Sequence, residues 1–330
     1  MNILVIGGTQ FVGRHFAEAA IRAGHGVTLF HRGSKGIGSV PGAADILGDR
    51  TENLDRVCTQ DWDLVMDSSG YTPSVVRSSL QALQGRCGRY LFVSTISVYD
   101  TSGPLPISEG SAQVPIGNPN ETVVNAESYG YLKVLCEQEV VNAFGERSLI
   151  IRPGIIAGSH DPTNRFTYWV MRFANGGKVL VPSVGDSRLQ LVDARDLAEY
   201  MVLGAERGLS GPFNVAGPAS TFGDMISVCE TLGTGIPAWV EPKLLKEADI
   251  HFGKDLPLAT LPGEDKLFAA SSDLAVANGL GYRPLLDTAK DVLQWKRSST
   301  DETPHKVGLN REREVDFIQT LSGNSNDLPN

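Results

Sequence analysis

Tyr129 and Lys133 lie four residues apart in the stretch Tyr129-Gly-Tyr-Leu-Lys133. The apolar spacing over 129–144 predicts a helix, and residues four apart share a helix face. An ammonium beside a phenol stabilises the phenolate and brings it toward the working range of a general acid-base. Tyr131 has Leu135 as its neighbour one turn on, so it cannot make the same pairing. Upstream, Ser94-Thr95-Ile96-Ser97 offers three hydroxyls directly after an apolar run at 89–93.

A second constellation opens the chain. Residues 1–6 form an apolar run, which turns on Gly7-Gly8-Thr9-Gln10-Phe11-Val12-Gly13-Arg14 and enters a helical pattern. A further apolar run at 27–30 ends in His31-Arg32-Gly33-Ser34. This is the sequence form of a β-α-β unit that holds a dinucleotide. Glycines let the backbone approach a pyrophosphate, and the helix N-terminus offers it free N–H groups and a positive dipole end. The spacing is that of G-x-x-G-x-x-G with Gln10 in place of the middle glycine. Arg32 stands where an NAD-binding chain usually carries Asp or Glu, and no acidic residue follows before Asp45. A guanidinium pairs with a 2′-phosphate, so NADP is expected ahead of NAD. Lys35 stands near enough in sequence to assist Arg32 or to sit in solvent.

These residues need a scaffold. Apolar runs at 43–47, 63–66, 89–93 and 148–151 read as further strands, with helical character at 51–59, 73–83 and 129–144. Strand-helix alternation of this kind predicts an α/β fold, a doubly wound parallel sheet of Rossmann type, with ligands at the carboxyl ends of the strands. A loop at 100–125, rich in Pro, Ser, Gly and Asn, is long enough to read as functional. Beyond about residue 155 the pattern loosens into a smaller C-terminal substrate-binding lobe. The expected organisation is a 1–155 NADP-binding domain with returning segments near 188–217, a lobe from 156–187 and 218–300, and a C-terminal helix and tail at 301–330. Residues 322–330 read as a frayed end.

With 330 residues the chain can bury a large core. Its 29 basic and 38 acidic residues give a net charge of −9, which disfavours non-specific nucleic-acid binding. No apolar run reaches the length of a membrane span, and no secretory signal is seen. Cys58, Cys87, Cys136 and Cys229 are scattered, as reduced cytoplasmic thiols would be, and no metal-ligand spacing occurs among Cys or His. Tyr168 and Trp169 read as core aromatics. Asp193, in Asp193-Ala-Arg-Asp196, reads as a helix N-cap.

Taken together, the chain from Met1 to about Pro218 resembles the extended short-chain dehydrogenase/reductase family, including its NAD(P)-dependent epimerase/dehydratase branch. The resemblance rests on Gly7–Gly13, on Phe92-Val-Ser-Thr-Ile-Ser-Val-Tyr99, on Tyr129 with Lys133, on Arg152-Pro153-Gly154 and on Asp193-Ala-Arg-Asp196-Leu197. It implies that Thr95 hydrogen-bonds the substrate oxygen, with Ser94 and Ser97 as competitors. It implies Tyr129 as proton donor or acceptor and Lys133 on the nicotinamide ribose. Cofactor contacts are expected from Gly7, Thr9, Gln10, Phe11, Gly13, Arg32, Asp49 at the adenine, Arg50, Ser68, Lys133 and Pro153. Substrate contacts are expected from Ser97, His160 and Arg165.

Two departures narrow the reaction. Ile96-Ser97 stands where the family's 4,6-dehydratases place Asp-Glu, so sugar dehydration is not expected. Gly154-Ile155 stands where its sugar-nucleotide enzymes often place asparagine, so no nucleotide-sugar site is indicated. The reading that follows is an NADP-dependent oxidoreductase acting on a small carbonyl or alcohol, compatible with a homodimer, with no nucleic-acid or membrane partner. The alternative is a redox-neutral epimerase. A third reading is a non-catalytic binding protein on the same fold, since the glycine-loop segment of plant chloroplast stem-loop RNA-binding proteins is similar to Gly7–Arg14. The Tyr129–Lys133 pair and the acidic charge weigh against that third reading.

Overall fold

The structure, a computed structural model, describes residues 1–299 and 307–324, the side chains of 322–324 excepted. Six strands carry the first part of the chain: β1 (Asn2–Ile6), β2 (Gly26–His31), β3 (Ala44–Leu47), β4 (Trp62–Asp67), β5 (Cys87–Val93) and β6 (Ser148–Pro153). With the strand Gly211–Val215 they form one seven-stranded sheet in the order Gly211–Val215, β6, β5, β4, β1, β2, β3. Every pairing within it is parallel. The order reverses between β1 and β4, which is the switch point where such sheets open a crevice at the carboxyl ends of their strands.

The alternation along β1 shows how the sheet is held. Ile3 and Val5 face one cluster, with Phe16 and Ala20 of helix α1 (Phe11–Arg22). Leu4 and Ile6 face the other, with Val76 and Leu80 of α2 (Pro73–Ala82) and Cys136 and Val140 of α3 (Tyr129–Phe144). Both faces are apolar and covered by helices, as a parallel sheet requires.

The helical character expected at 51–59 narrows to a 3-10 turn, Leu54–Val57. Its apolar anchors, Leu54 and Val57, are three apart, which matches the 3-10 repeat. The long loop after β5 holds no helix beyond the 3-10 turn Ile96–Val98, and isolated bridges tie Tyr99 to Gln113 and Ile107 to Ala270.

The chain groups into two compact units. The first comprises Met1–Ile156, Val192–Gly217 and Ala269–Tyr282. The stretch 269–282, expected in the lobe, thus returns to the sheet unit. There Ala275 and Leu280 enter the core, and Tyr282 Oη donates to the Ala216 carbonyl. Asp193 caps helix α5 (Ala194–Glu206), its side chain accepting from the Arg195 N–H.

The second unit comprises Ala157–Leu191, Pro218–Phe268 and the chain from Arg283 onward. It packs α4 (Arg165–Ala174) against the helices Phe222–Glu230 and Leu285–Ser298, beside a parallel pair of strands, Gly177–Pro182 and Gly235–Val240. Trp169 is fully buried there, and Tyr168 stands edge-on to it. The helix Arg311–Asn324 is anchored by Glu314, buried and paired with Arg172 at 2.7 Å. Of the tail expected to fray, 325–330 lies outside the described residues, as does 301–306 of the expected C-terminal segment. No helix among the described residues is long and apolar enough to cross a membrane.

Candidate active site at the strand ends

The glycine turn sits at the switch point. Gly7 adopts φ +87°, and its N–H donates to the Phe30 carbonyl at 3.1 Å, joining the turn to β2. A Cβ at Gly13 would lie 2.6 Å from the Gly7 carbonyl oxygen, so only glycine lets α1 close onto the turn. Ser68 supports the turn from below, its hydroxyl donating to the Ile6 carbonyl at 3.1 Å. Gln10 is the N-cap of α1, exposed and extended, and its side chain makes no capping hydrogen bond. The unusual backbone falls one residue later, at Phe11 with φ +34°, a left-handed value costly for an aromatic residue. A turn without side chains at 7, 8 and 13, leading into a helix start without a side-chain cap, fits a dinucleotide pyrophosphate.

The tip of β2 differs from expectation. Its last residue is His31, buried, accepting from the Gly33 N–H at Nδ1 and donating from Nε2 to Asp45 at 2.8 Å. The other Asp45 oxygen accepts from Gly38 N–H, so this pair pins the loop that follows β2. Arg32 is 76% exposed. No acidic residue follows it in sequence before Asp45, but the fold brings Asp49 Oδ2 to 3.9 Å from Arg32 Nη1. Oδ1 of Asp49 accepts from the N–H and hydroxyl of Thr51, and these bonds hold its carboxyl below the usual range.

Arg50 is turned inward. It makes a two-pronged ion pair with Asp67 at 2.8 Å on each side and also donates to the Ser69 and Ser79 hydroxyls. Asp67 ends β4, is fully buried and also accepts from Tyr90 Oη at 2.9 Å. Burial pushes its carboxyl up, but Arg50 and the hydrogen bonds outweigh that and hold it below its ordinary value. Of the Arg50 guanidinium, only Nε–H is without a protein partner.

The candidate acid-base residues come from α3 and from the end of β5. Tyr129 opens α3, half-buried, and Lys133 follows one turn on. Gly130 between them brings the helix start against the Ile96–Val98 turn, since a Cβ there would lie 2.5 Å from the Ser97 carbonyl oxygen. In that turn Thr95 Oγ1 accepts from the Ser97 N–H and donates to Ser97 Oγ at 3.2 Å. Ser94 is withdrawn from the competition: it is buried, with its hydroxyl donated to Glu137. Lys133 is 3% exposed, donates to the carbonyls of Gly70 (2.9 Å) and Val93 (2.6 Å), and lies 4.1 Å from the Phe92 ring centroid. Burial lowers its pKa to about 8. An ammonium has three donors, so one remains beyond those two carbonyls.

Pro153 closes β6 opposite Val215. Tyr131 points elsewhere, against Gly117. His160 and Arg165 lie in the second unit. There His160 has φ +64° with its ring 5.2 Å from that of Trp295, and Arg165 Nε donates to Thr163 Oγ1 at 3.1 Å. Among the described residues no group of three or more His, Cys, Asp or Glu is arranged to hold a metal ion.

Sequence reasoning missed Tyr71, 48% exposed, with its ring centroid 5.6 Å from Lys133 Nζ. It also missed the buried Glu137–Arg152 pair, although Glu137 stands one turn past Lys133 on the same helix stripe.

Residues 56–216 match the NAD dependent epimerase/dehydratase family. The chain is 29% identical over 314 residues to the 41 kDa chloroplast stem-loop binding protein b of Arabidopsis thaliana, covering 88% of this chain and 77% of that one. Its fold is similar to that of UDP-glucose 4-epimerase from Thermotoga maritima, solved with UDP-glucose (TM-score 0.68, 18% identity, 90% of this chain and 99% of that one). It is similar also to the Bordetella bronchiseptica enzyme WbmH in complex with NAD+ (TM-score 0.68, 16% identity, 90% and 98%).

Proposed function

We propose that this chain, whose residues 56–216 match the NAD dependent epimerase/dehydratase family, is a nicotinamide-dependent enzyme that moves a hydride between NADP(H) and a small carbonyl or alcohol. The observation that carries this reading is the approach of α3 to the Ile96–Val98 turn through Gly130. That approach brings the start of the helix that carries Tyr129 and Lys133 against the turn that carries Ser97, at the carboxyl end of the sheet, where the glycine turn also lies.

The residues would divide the work as follows. Gly7 and Gly13 leave room for the pyrophosphate, and the start of α1 faces it with N–H groups. Arg32, exposed at the tip of β2 with the Asp49 carboxylate 3.9 Å from it, pairs with a 2′-phosphate. When bound, the nicotinamide supplies a hydride donor or acceptor. Tyr129 gives its proton to the substrate oxygen or takes one from it. Ser97, with Thr95 donating to it, bonds the same oxygen, the remaining donor of Lys133 goes to the ribose, and its positive charge favours the phenolate.

A second reading is a redox-neutral epimerase, favoured by the family match and by the likeness to UDP-glucose 4-epimerase. The test follows reduced-nicotinamide absorbance with ketones, quinonoid carbonyls and sugars, including UDP-sugars, and assays product stereochemistry in parallel. Stoichiometric NADPH use is expected. Inversion at carbon without net change in NADPH would establish the epimerase instead. Because the Arabidopsis relative is named for stem-loop binding, a stem-loop RNA is titrated alongside. RNA binding in a protein that takes up no nicotinamide would overturn both enzyme readings.

A further inference from the structure

We infer that Glu137, clamped by Arg152 and Ser94, is a positioning residue for the candidate catalytic pair: it sets where Lys133 sits against the ends of β4 and β5. The inference rests on the reading above for the identity of the site, but its geometry stands by itself. Glu137 is 4% exposed, one turn past Lys133 on α3. Its carboxylate accepts from Arg152 Nε at 2.9 Å and Nη2 at 2.6 Å, from the Ser94 hydroxyl, and from Gln113 Nε2 at 3.4 Å.

Arg152, on β6, carries the clamp onward. It donates to Tyr99 Oη at 2.6 Å, and Tyr99 Oη donates to Asn214 Oδ1 at 2.7 Å. Ser94 and Tyr99 therefore flank the Thr95–Ser97 turn, and both are fastened to the helix that carries Tyr129 and Lys133. A buried ion pair seldom adds much stability over an apolar pair of the same shape. What it does supply is direction. Two-pronged guanidinium–carboxylate geometry fixes the rotation and height of α3 against β6.

Lys133 has no acidic side chain in hydrogen-bond contact. Its donors go to the carbonyls of Gly70, in the loop after β4, and Val93, at the end of β5. A small shift of α3 breaks both bonds. The charged and titratable groups around it are Asp67 at the end of β4, Arg50 paired with Asp67, Tyr71 in the loop after β4, and Cys136 and Glu137 on α3 itself, with Tyr129 one turn before. Asp67 is already engaged by Arg50. The Glu137 carboxylate is the one of these groups on the helix of Lys133 that favours the ammonium as an ordinary anion.

The experiment uses the full chain without cofactor, with lysines labelled with carbon-13 at Cε. The Lys133 resonance is identified by its loss in Lys133→Met and titrated by nuclear magnetic resonance. In the wild type its midpoint is expected near the lowered value of about 8. In Glu137→Gln the midpoint should fall by about half a pH unit or more. Glu137→Asp keeps the charge but draws it back by one carbon, and it should shift the midpoint less, in the same direction. It also decides the matter if the Gln variant does not fold. Midpoints unchanged in the folded variants, even with lowered thermal stability, would reduce Glu137 to a structural residue and overturn the inference. A wild type that binds neither NADPH nor NADH in calorimetry would sink the functional reading while leaving the Lys133 titration intact, so the two failures are distinguishable.

Discussion

The carbonyl oxygen of Ser97 occupies the space that a side chain at Gly130 would need, at 2.5 Å from the Cβ position. This one contact brings two distant parts of the chain together. The helix start carries Tyr129, and the carbonyl belongs to the turn that carries Thr95.

Gly130→Ala should therefore destabilise the protein. An alanine in a helix ordinarily gains up to about 1 kcal/mol over glycine. Here the obstructing atom is backbone, and overpacking of this kind costs about 1–3 kcal/mol. The clash should win, lowering the urea midpoint and reducing turnover together. A variant at least as stable as the wild type would show that α3 does not depend on this approach.

Arg32→Ala should remove most of the preference for NADPH over NADH. One charge-assisted phosphate contact contributes about 1.5–3 kcal/mol, or one to two decades of affinity. Asp49→Asn should act the other way. It removes the carboxylate 3.9 Å from the guanidinium and frees Arg32 for the phosphate. Calorimetric titration of both cofactors reads both variants. Equal affinity of the wild type for NADPH and NADH would take Arg32 out of the site.

Tyr129→Phe should lower turnover by about 10²–10⁴-fold, the usual contribution of a general acid-base, and leave the cofactor dissociation constant nearly unchanged. Tyr131→Phe should have little effect, because that ring lies against Gly117. Steady-state kinetics on both variants decides between them. A larger loss in Tyr131→Phe would contradict the helix register.

Lys133 should leave a mark on stability above neutral pH. Burial lowers its pKa from 10.5 to about 8 in the folded protein. Between those values the unfolded chain binds the proton that the folded one has shed, so stability contributed by this group rises as pH rises across the window. The full span is of the order of 3 kcal/mol. Cys87, Cys136 and Cys229 are raised by burial and act in the opposite sense in the same range, so the quantity to measure is the difference between wild type and Lys133→Met. That difference should climb from about pH 8 to 10.5. A flat difference in unfolding free energy would show that Lys133 is not held in a dry environment.

Much of this arrangement was legible in the residues themselves, because it is local. The helix Tyr129–Phe144 follows from its apolar spacing, and the position of Tyr129 and Lys133 one turn apart on it follows from the helical repeat. The positive φ at Gly7 and the close approach at Gly13 follow from the lack of a side chain. Strand-helix alternation determined a doubly wound parallel sheet, since parallel strands need crossovers and the crossovers cover both faces.

Tertiary structure alone decided which charged groups neutralise one another. Arg50 meets Asp67 because the strand order brings the chain after β3 to the end of β4, with β1 and β2 lying between those strands. Asp49 meets Arg32, and Asp45 meets His31, because β3 lies beside β2 in register. Ser94, Thr95 and Ser97 are equivalent as hydroxyls in the sequence. They became distinct only when Glu137, held by Arg152 fifteen residues on in the chain, took the hydroxyl of Ser94. Periodicity and local conformation depend on residues within a turn or two. Ion-pair partners depend on which strands are neighbours, and strand neighbours are set by burial of both faces of the whole sheet rather than by any short segment of it.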